Sequence, residues 1–136
     1  LKESEFQSKI LKSWKAGGAE VLNLHGHLMM APGWPDLFVY HWDVHALIEL
    51  KVGNNTLSGA QRLILKQLTA RRVLASAWTL NKETEIITVE SLRQSGDGVM
   101  RAFVGSLPLA SVTVAGGHHA MIDILIDCAR KLELRS

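Results

Sequence analysis

The chain of 136 residues has a single cysteine, Cys128, which excludes an internal disulfide and a cysteine-built zinc cluster and fits a reducing compartment. No apolar run approaches the roughly 20 residues needed to cross a bilayer, and the opening residues, with Lys2, Glu3 and Glu5, lack the pattern of a signal peptide. The expected setting is the cytoplasm, without a membrane partner. Internal repeats and low-complexity segments are also missing. With 47% hydrophobic and 21% charged residues, the composition is that of one ordinary globular domain.

Charge of one sign is absent over long stretches. Residues 16–50 contain no Lys or Arg but carry Glu20, Asp36, Asp43 and Glu49, whereas residues 52–81 contain no acid but carry Arg62, Lys66, Arg71 and Arg72. A compact fold would set a cationic surface beside an acidic one, an arrangement that suits a polyanion held next to a cation site. The net charge of +2 permits a nucleic-acid partner without identifying one.

What is present divides into helix and strand patterns. Phe6, Ile10, Leu11 and Trp14 recur at helical spacing over 3–15, and Gly17-Gly18 ends that helix. Residues 20–24 alternate as a strand, 25–35 form a loop, and 36–42 and 45–52 form a hairpin turning at Asp43-Val44. Residues 58–72 form a second helix, with Ser58 and Gln61 matching a capping box. Strands at 73–80 and 86–89 follow. The order α-β-β-β-α-β implies an α/β domain with a mixed sheet flanked by helices and a core at about 3–89. In the extension over 90–136, residues 90–107 have weak periodicity and 109–115 read as a strand. Met121, Ile122, Leu125, Ile126, Ala129 and Leu132 then form the apolar face of a last helix, either core or a subunit contact.

Three charges interrupt the apolar hairpin: Asp36, Glu49 and Lys51. A two-residue turn at Asp43-Val44 would set Asp36 opposite Lys51 and diagonal to Glu49. The period of two along a strand puts all three on one side of the ribbon, away from Ile48, Leu50 and Val52. Charges in such a place must be paired, solvated or bound to metal. Phosphodiester hydrolysis needs a nucleophilic water and neutralisation of charge on the phosphate, and a divalent ion does both. Asp36 and Glu49 would supply two oxygens to Mg²⁺ or Mn²⁺, the Leu50 carbonyl a third, and Lys51 would hold the attacking water. A plain cross-strand ion pair between Asp36 and Lys51 is the competing reading. The second carboxylate, the Gly/Pro loop before Asp36 and the basic helix after Lys51 weigh against it.

Gly33-Trp34-Pro35-Asp36, then Glu49-Leu50-Lys51, then Leu57-Ser58-Gly59-Ala60-Gln61 at a helix start resemble the PD-(D/E)xK nuclease superfamily, and within it the virus-type replication-repair nuclease domain. The likeness covers about residues 3–80. It implies a restriction-endonuclease-like core and a metal-dependent DNA endonuclease acting in replication, recombination or repair and leaving 5′-phosphate ends. By position it assigns metal binding to Asp36 and Glu49, water activation to Lys51 and an auxiliary role to Gln61. Its N-terminal helix acid falls on Glu3, with Glu5 as runner-up. Gln61 equally reads as a simple partner of the Ser58 cap. Small members of the family are thought to cut four-way junctions as dimers. A homodimeric junction resolvase of a bacterium or phage-infected host is therefore the expectation, with a restriction or homing endonuclease and a non-catalytic DNA-binding module as alternatives.

Arg62, Lys66, His25 and His27 are candidate DNA contacts. His25-Gly26-His27 also invites zinc, but no cysteine is near and the carboxylates favour a harder metal. His41 and His45 read as structural, and His118-His119 as a surface pair. Trp14, Trp34, Trp42 and Trp78 are core candidates, with Trp34 alternatively a stacking platform for an unpaired base.

Overall fold

A computed structural model describes residues 1–24 and 32–134, so His25 and His27 lie outside the described residues. The elements in chain order are α1 (Glu3–Ala16), β1 (Glu20–Asn23), β2 (Leu37–Tyr40), β3 (His45–Val52), α2 (Gly59–Ala70), β4 (Ala75–Leu80), β5 (Ile86–Gln94), β6 (Met100–Pro108), α3 (Leu109–Thr113) and α4 (His118–Lys131). The six strands form one sheet in sequential order. All neighbours are antiparallel except β3 and β4, which are parallel and joined through α2. The expected α/β class, a mixed sheet flanked by helices, is the observed one.

Alternation along the strands divides the sheet into two faces. One carries Ile48, Leu50, Trp78, Leu80, Ile87 and Val89, all buried against Phe6, Ile10 and Trp14 of α1, Val112 of α3 and Met121, Leu125 and Cys128 of α4. Each fully buried side chain of this size contributes about 1.5–3 kcal/mol. The other face carries Leu47, Glu49, Lys51, Ala75 and Ala77, and α2 packs against it through β4 and β5. The Thr69 hydroxyl ties α2 to the sheet by donating to the Leu92 carbonyl. No described helix is long and apolar enough to cross a membrane.

Several expectations need correction. The hairpin pairs Leu37 with Ile48 and Tyr40 with His45, so its turn is the four residues His41–Val44. It closes through His41 N–H donating to Val44 O at 2.8 Å, with Asp43 N–H on His41 Nδ1 at 3.3 Å. The His41 side chain thus builds the turn, and Trp42, at its tip, is 93% exposed rather than part of the core. Trp14 and Trp78 are fully buried, and Trp34 is half-buried.

Residues 109–115 contain helix α3 in place of a strand. Pro108 ends β6 and its carbonyl accepts from the Ser111 hydroxyl at 2.6 Å, a local bond that turns the chain despite the β-branched Val112 and Thr113. The weakly periodic 90–107 holds the end of β5 and all of β6. Burial alternates along both, but apolar Leu92, Met100 and Val104 take exposed positions and Ser91 a buried one, which hides the alternation in the sequence. The apolar face of the last helix is core, since Met121, Leu125, Cys128 and Leu132 are fully buried. Burial pushes the Cys128 thiol up to about 12, so it is not a reactive thiolate. His118 is wedged between His41 and His119, with ring centroids 6.0 and 4.0 Å away.

Gly33, in the loop before β2, has φ +93°, and a Cβ there would sit 2.7 Å from the Ala60 backbone carbon and oxygen. The loop passes directly over the first turn of α2 at this residue, and only glycine allows both the backbone angle and the approach. Gly33→Ala should lower stability by about 2–4 kcal/mol, combining left-handed strain with overpacking. Urea denaturation checks this; an unchanged midpoint would refute the close approach.

Candidate functional site

Asp36, Glu49 and Lys51 do share one side of the sheet. The register differs from the expected one by two residues, and because strand side chains repeat every two residues, the face is unchanged. Continuing the observed pairing sets Asp36 opposite Glu49, not opposite Lys51. Two carboxylates therefore confront each other directly, and the ion-pair reading of Asp36 with Lys51 loses its geometry.

Proline 35 explains how Asp36 is placed. Extending the β2–β3 register puts Pro35 across from Leu50, and proline has no N–H to donate to the Leu50 carbonyl. The main-chain ladder stops there. Asp36 takes over one half of it, its Oδ2 accepting the Leu50 N–H at 3.0 Å, while its own carbonyl accepts from Leu24 N–H at 2.7 Å. Both groups of a strand residue point to the same edge, so the Leu50 carbonyl also faces the side where Asp36 lies and receives no main-chain donor from β2.

Glu49 is only 3% exposed. Its Oε1 accepts from Gln61 Nε2 at 2.9 Å and lies 3.7 Å from Lys51 Nζ. Its Oε2 is buried with no hydrogen-bond partner among the described residues. Burial, reinforced by the facing Asp36, raises this carboxyl to about 8; Lys51 opposes the shift, as does the dipole of the nearby Asp36 N–H, which makes no hydrogen bond to Oε2, and Glu3 adds to it. A buried carboxylate oxygen without a donor is costly unless a proton or a cation meets it.

The Gln61 side chain bonds both the helix cap and Glu49. Its Oε1 accepts the Ser58 N–H at 2.8 Å and its backbone N–H donates to Ser58 Oγ at 3.1 Å, completing the capping box. The remaining amide group reaches Glu49. The cap therefore fixes the side chain that orients the buried carboxylate.

Glu3, half-buried at the start of α1, is near enough for its charge to act on Glu49, whereas Glu5 is exposed. Arg62 and Lys66 are exposed and line, with Leu65, a groove between α2 and strands β5 and β6. Among the described residues, no three His, Cys, Asp or Glu side chains cluster as a ready-made metal cage. Two carboxylates with a backbone oxygen and waters remain, which is the donor set that Mg²⁺ accepts. The orphaned Glu49 Oε2 fits such an ion.

Sequence reasoning overlooked the part played by Pro35, although its missing N–H was there to be used once a strand register was assumed. It also overlooked Thr79, Thr88 and Glu90. The register aligns Lys51 with Thr79 and Thr88, and Glu49 with Ala77 and Glu90, all on the site's face. Alternation within 86–90 was the available signal.

No known family profile matches the chain. Nor does any curated protein match it by sequence. Among solved structures, the chain is similar to Hjc, a Holliday junction resolvase of the archaeal hyperthermophile Archaeoglobus fulgidus, at 19% identity and a TM-score of 0.40, covering 79% of this chain and 77% of that one.

Proposed function

We propose that the protein is a Mg²⁺- or Mn²⁺-dependent DNA endonuclease of the PD-(D/E)xK kind, resembling the virus-type replication-repair nuclease domain. The observation that carries this reading is the buried Glu49 carboxylate, opposite Asp36 and beside Lys51, with one oxygen lacking a donor among the described residues. Asp36, Glu49 and the Leu50 carbonyl would hold the ion. When bound, it would offset charge on the phosphate and acidify water. Lys51, with its ammonium 3.7 Å from Glu49, positions the attacking water and balances charge on the phosphate. Gln61 orients Glu49, and Glu3 adds a carboxylate at the rim of the site.

Branched DNA is the substrate we favour, cut by a homodimer. Support for a second copy comes from β6, the last strand in the sheet order, which leaves Met100 48% and Val104 70% exposed. Exposed Arg62 and Lys66 supply phosphate contacts near the site. Cleavage of a four-way junction and of a linear duplex of matched sequence, in Mg²⁺ or Mn²⁺ and in chelator, tests the reading. The junction should be cut only with metal, and Lys51→Ala should slow cutting by about 10²–10⁴-fold. Failure of the wild type to cut any DNA with either ion, or full activity in Lys51→Ala, would refute it. A solution mass of one chain with and without junction would remove the homodimer.

A further inference from the structure

A broad open cleft of about 1060 Å³ begins where the carboxylate site ends. Its floor continues straight from Lys51 across the sheet through Thr79 and Thr88, which the register sets side by side on β4 and β5. Asn54 and Asn55, in the turn after β3, form one wall, and Arg62 of α2 another. The Thr79 and Thr88 hydroxyls and the Asn54 and Asn55 amides make no side-chain hydrogen bond with the described residues, so each has donor and acceptor capacity to offer.

The charge of this cleft excludes one obvious occupant. Arg62 and Lys82 are offset by Glu83 and Glu90 among its described lining residues, two cations against two anions. A track for the sugar-phosphate backbone would carry excess positive charge or a row of converging N–H donors. Hydroxyls, amides and a carboxylate acceptor instead match the mixed, uncharged hydrogen-bonding edge of a nucleobase, with Glu90 suited to an exocyclic amino group. No aromatic side chain is among those described lining residues, so recognition here is by edge rather than by stacking.

We infer that this cleft receives an unstacked nucleobase from a nucleotide flanking the scissile phosphate, read by Thr79, Thr88, Asn54 and Glu90. The inference rests on the nuclease reading and deepens it. A base inside continuous duplex cannot enter such a cleft, whereas one at a branch point leaves its stack at little cost. Selection for branched DNA thus comes from the sheet floor beside the site, and bases bearing an amino group are preferred over thymine.

The test uses the Asp36→Asn protein and four-way junctions carrying 2-aminopurine, an amino-bearing base, at successive positions beside the branch. Binding should raise emission several-fold at one or two positions. The rise should vanish when Thr79→Val and Thr88→Val are added, and persist with Thr79→Ser and Thr88→Ser, which keep the hydroxyls. If wild-type protein cuts the same junction but no position brightens on binding, the cleft inference is overturned and the nuclease reading stands. A rise untouched by the valine pair overturns it equally. If the wild type neither cuts nor binds the junction, both readings fall.

Discussion

Glu49→Gln should abolish metal-dependent cleavage while making the metal-free protein more stable at pH 8. The two effects share one cause. In the folded chain the Glu49 carboxyl is raised to about 8 by burial and by Asp36, against 4.5 for the unperturbed group. Between those values the native state holds a proton that the unfolded state has released, so stability falls as pH rises from about 4.5 to 8. The slope is at most about 1.4 kcal/mol per pH unit, and relaxation of the site reduces the total to about 2–4 kcal/mol. Glutamine stays neutral, and its amide oxygen can still accept from Gln61, so the substituted protein escapes this loss. Denaturation midpoints at pH 5 and pH 8 measure it. The two proteins should match at the lower pH relative to a clear gap at the higher, and a wild type that gains stability towards pH 8 would oppose the assignment.

Asp36→Asn carries the second large effect. The asparagine oxygen can keep the Leu50 N–H bond seen at 3.0 Å, so the fold should survive. What disappears is the charge facing Glu49. In the proposed site, losing one of the two carboxylates would remove several kcal/mol of charge stabilisation, and cleavage should fall by more than about a thousandfold. With Asp36 neutral, one cause of the upward shift at Glu49 is gone, and its titration should move towards that of an ordinary carboxyl. Carboxyl-detected NMR titration of both proteins reads this directly. A Glu49 that titrates identically in the two would mean that the carboxylates do not interact.

The parts of this site that were legible in the sequence are those that depend on parity. Asp36, Glu49 and Lys51 fall on one side of the sheet for any even change in register, so a turn misplaced by two residues left the face intact. The partner did not survive: Asp36 faces Glu49 because the His41 side chain builds a longer turn, and a side-chain bond of that kind leaves no mark in alternation. Gln61 was readable as a cap partner or as a neighbour of the carboxylates, and in the structure one amide bonds both Ser58 and Glu49.

The second half of the chain was harder for a physical reason. In β5 and β6 burial alternates, but residue type does not follow it: Leu92, Met100 and Val104 are exposed while Ser91 is buried, so hydrophobicity alone does not reveal the pattern. In α3, β-branched residues sit in a helix that begins after a proline. The apolar stripe of the last helix was plain, but only packing shows that it closes the core over Trp14 and Val89 and is not kept for a partner.

Calorimetric titration of Mn²⁺ into the protein at pH 7, repeated in two buffers of different ionisation enthalpy, tests most directly whether Glu49 belongs to a metal site. Metal binding must displace the proton that burial holds on that carboxyl. The expected result is saturable binding with release of about one proton per ion, lost in Glu49→Gln and weakened in Asp36→Asn. Absence of binding heat, or binding with the same proton count after Glu49→Gln, would contradict the account.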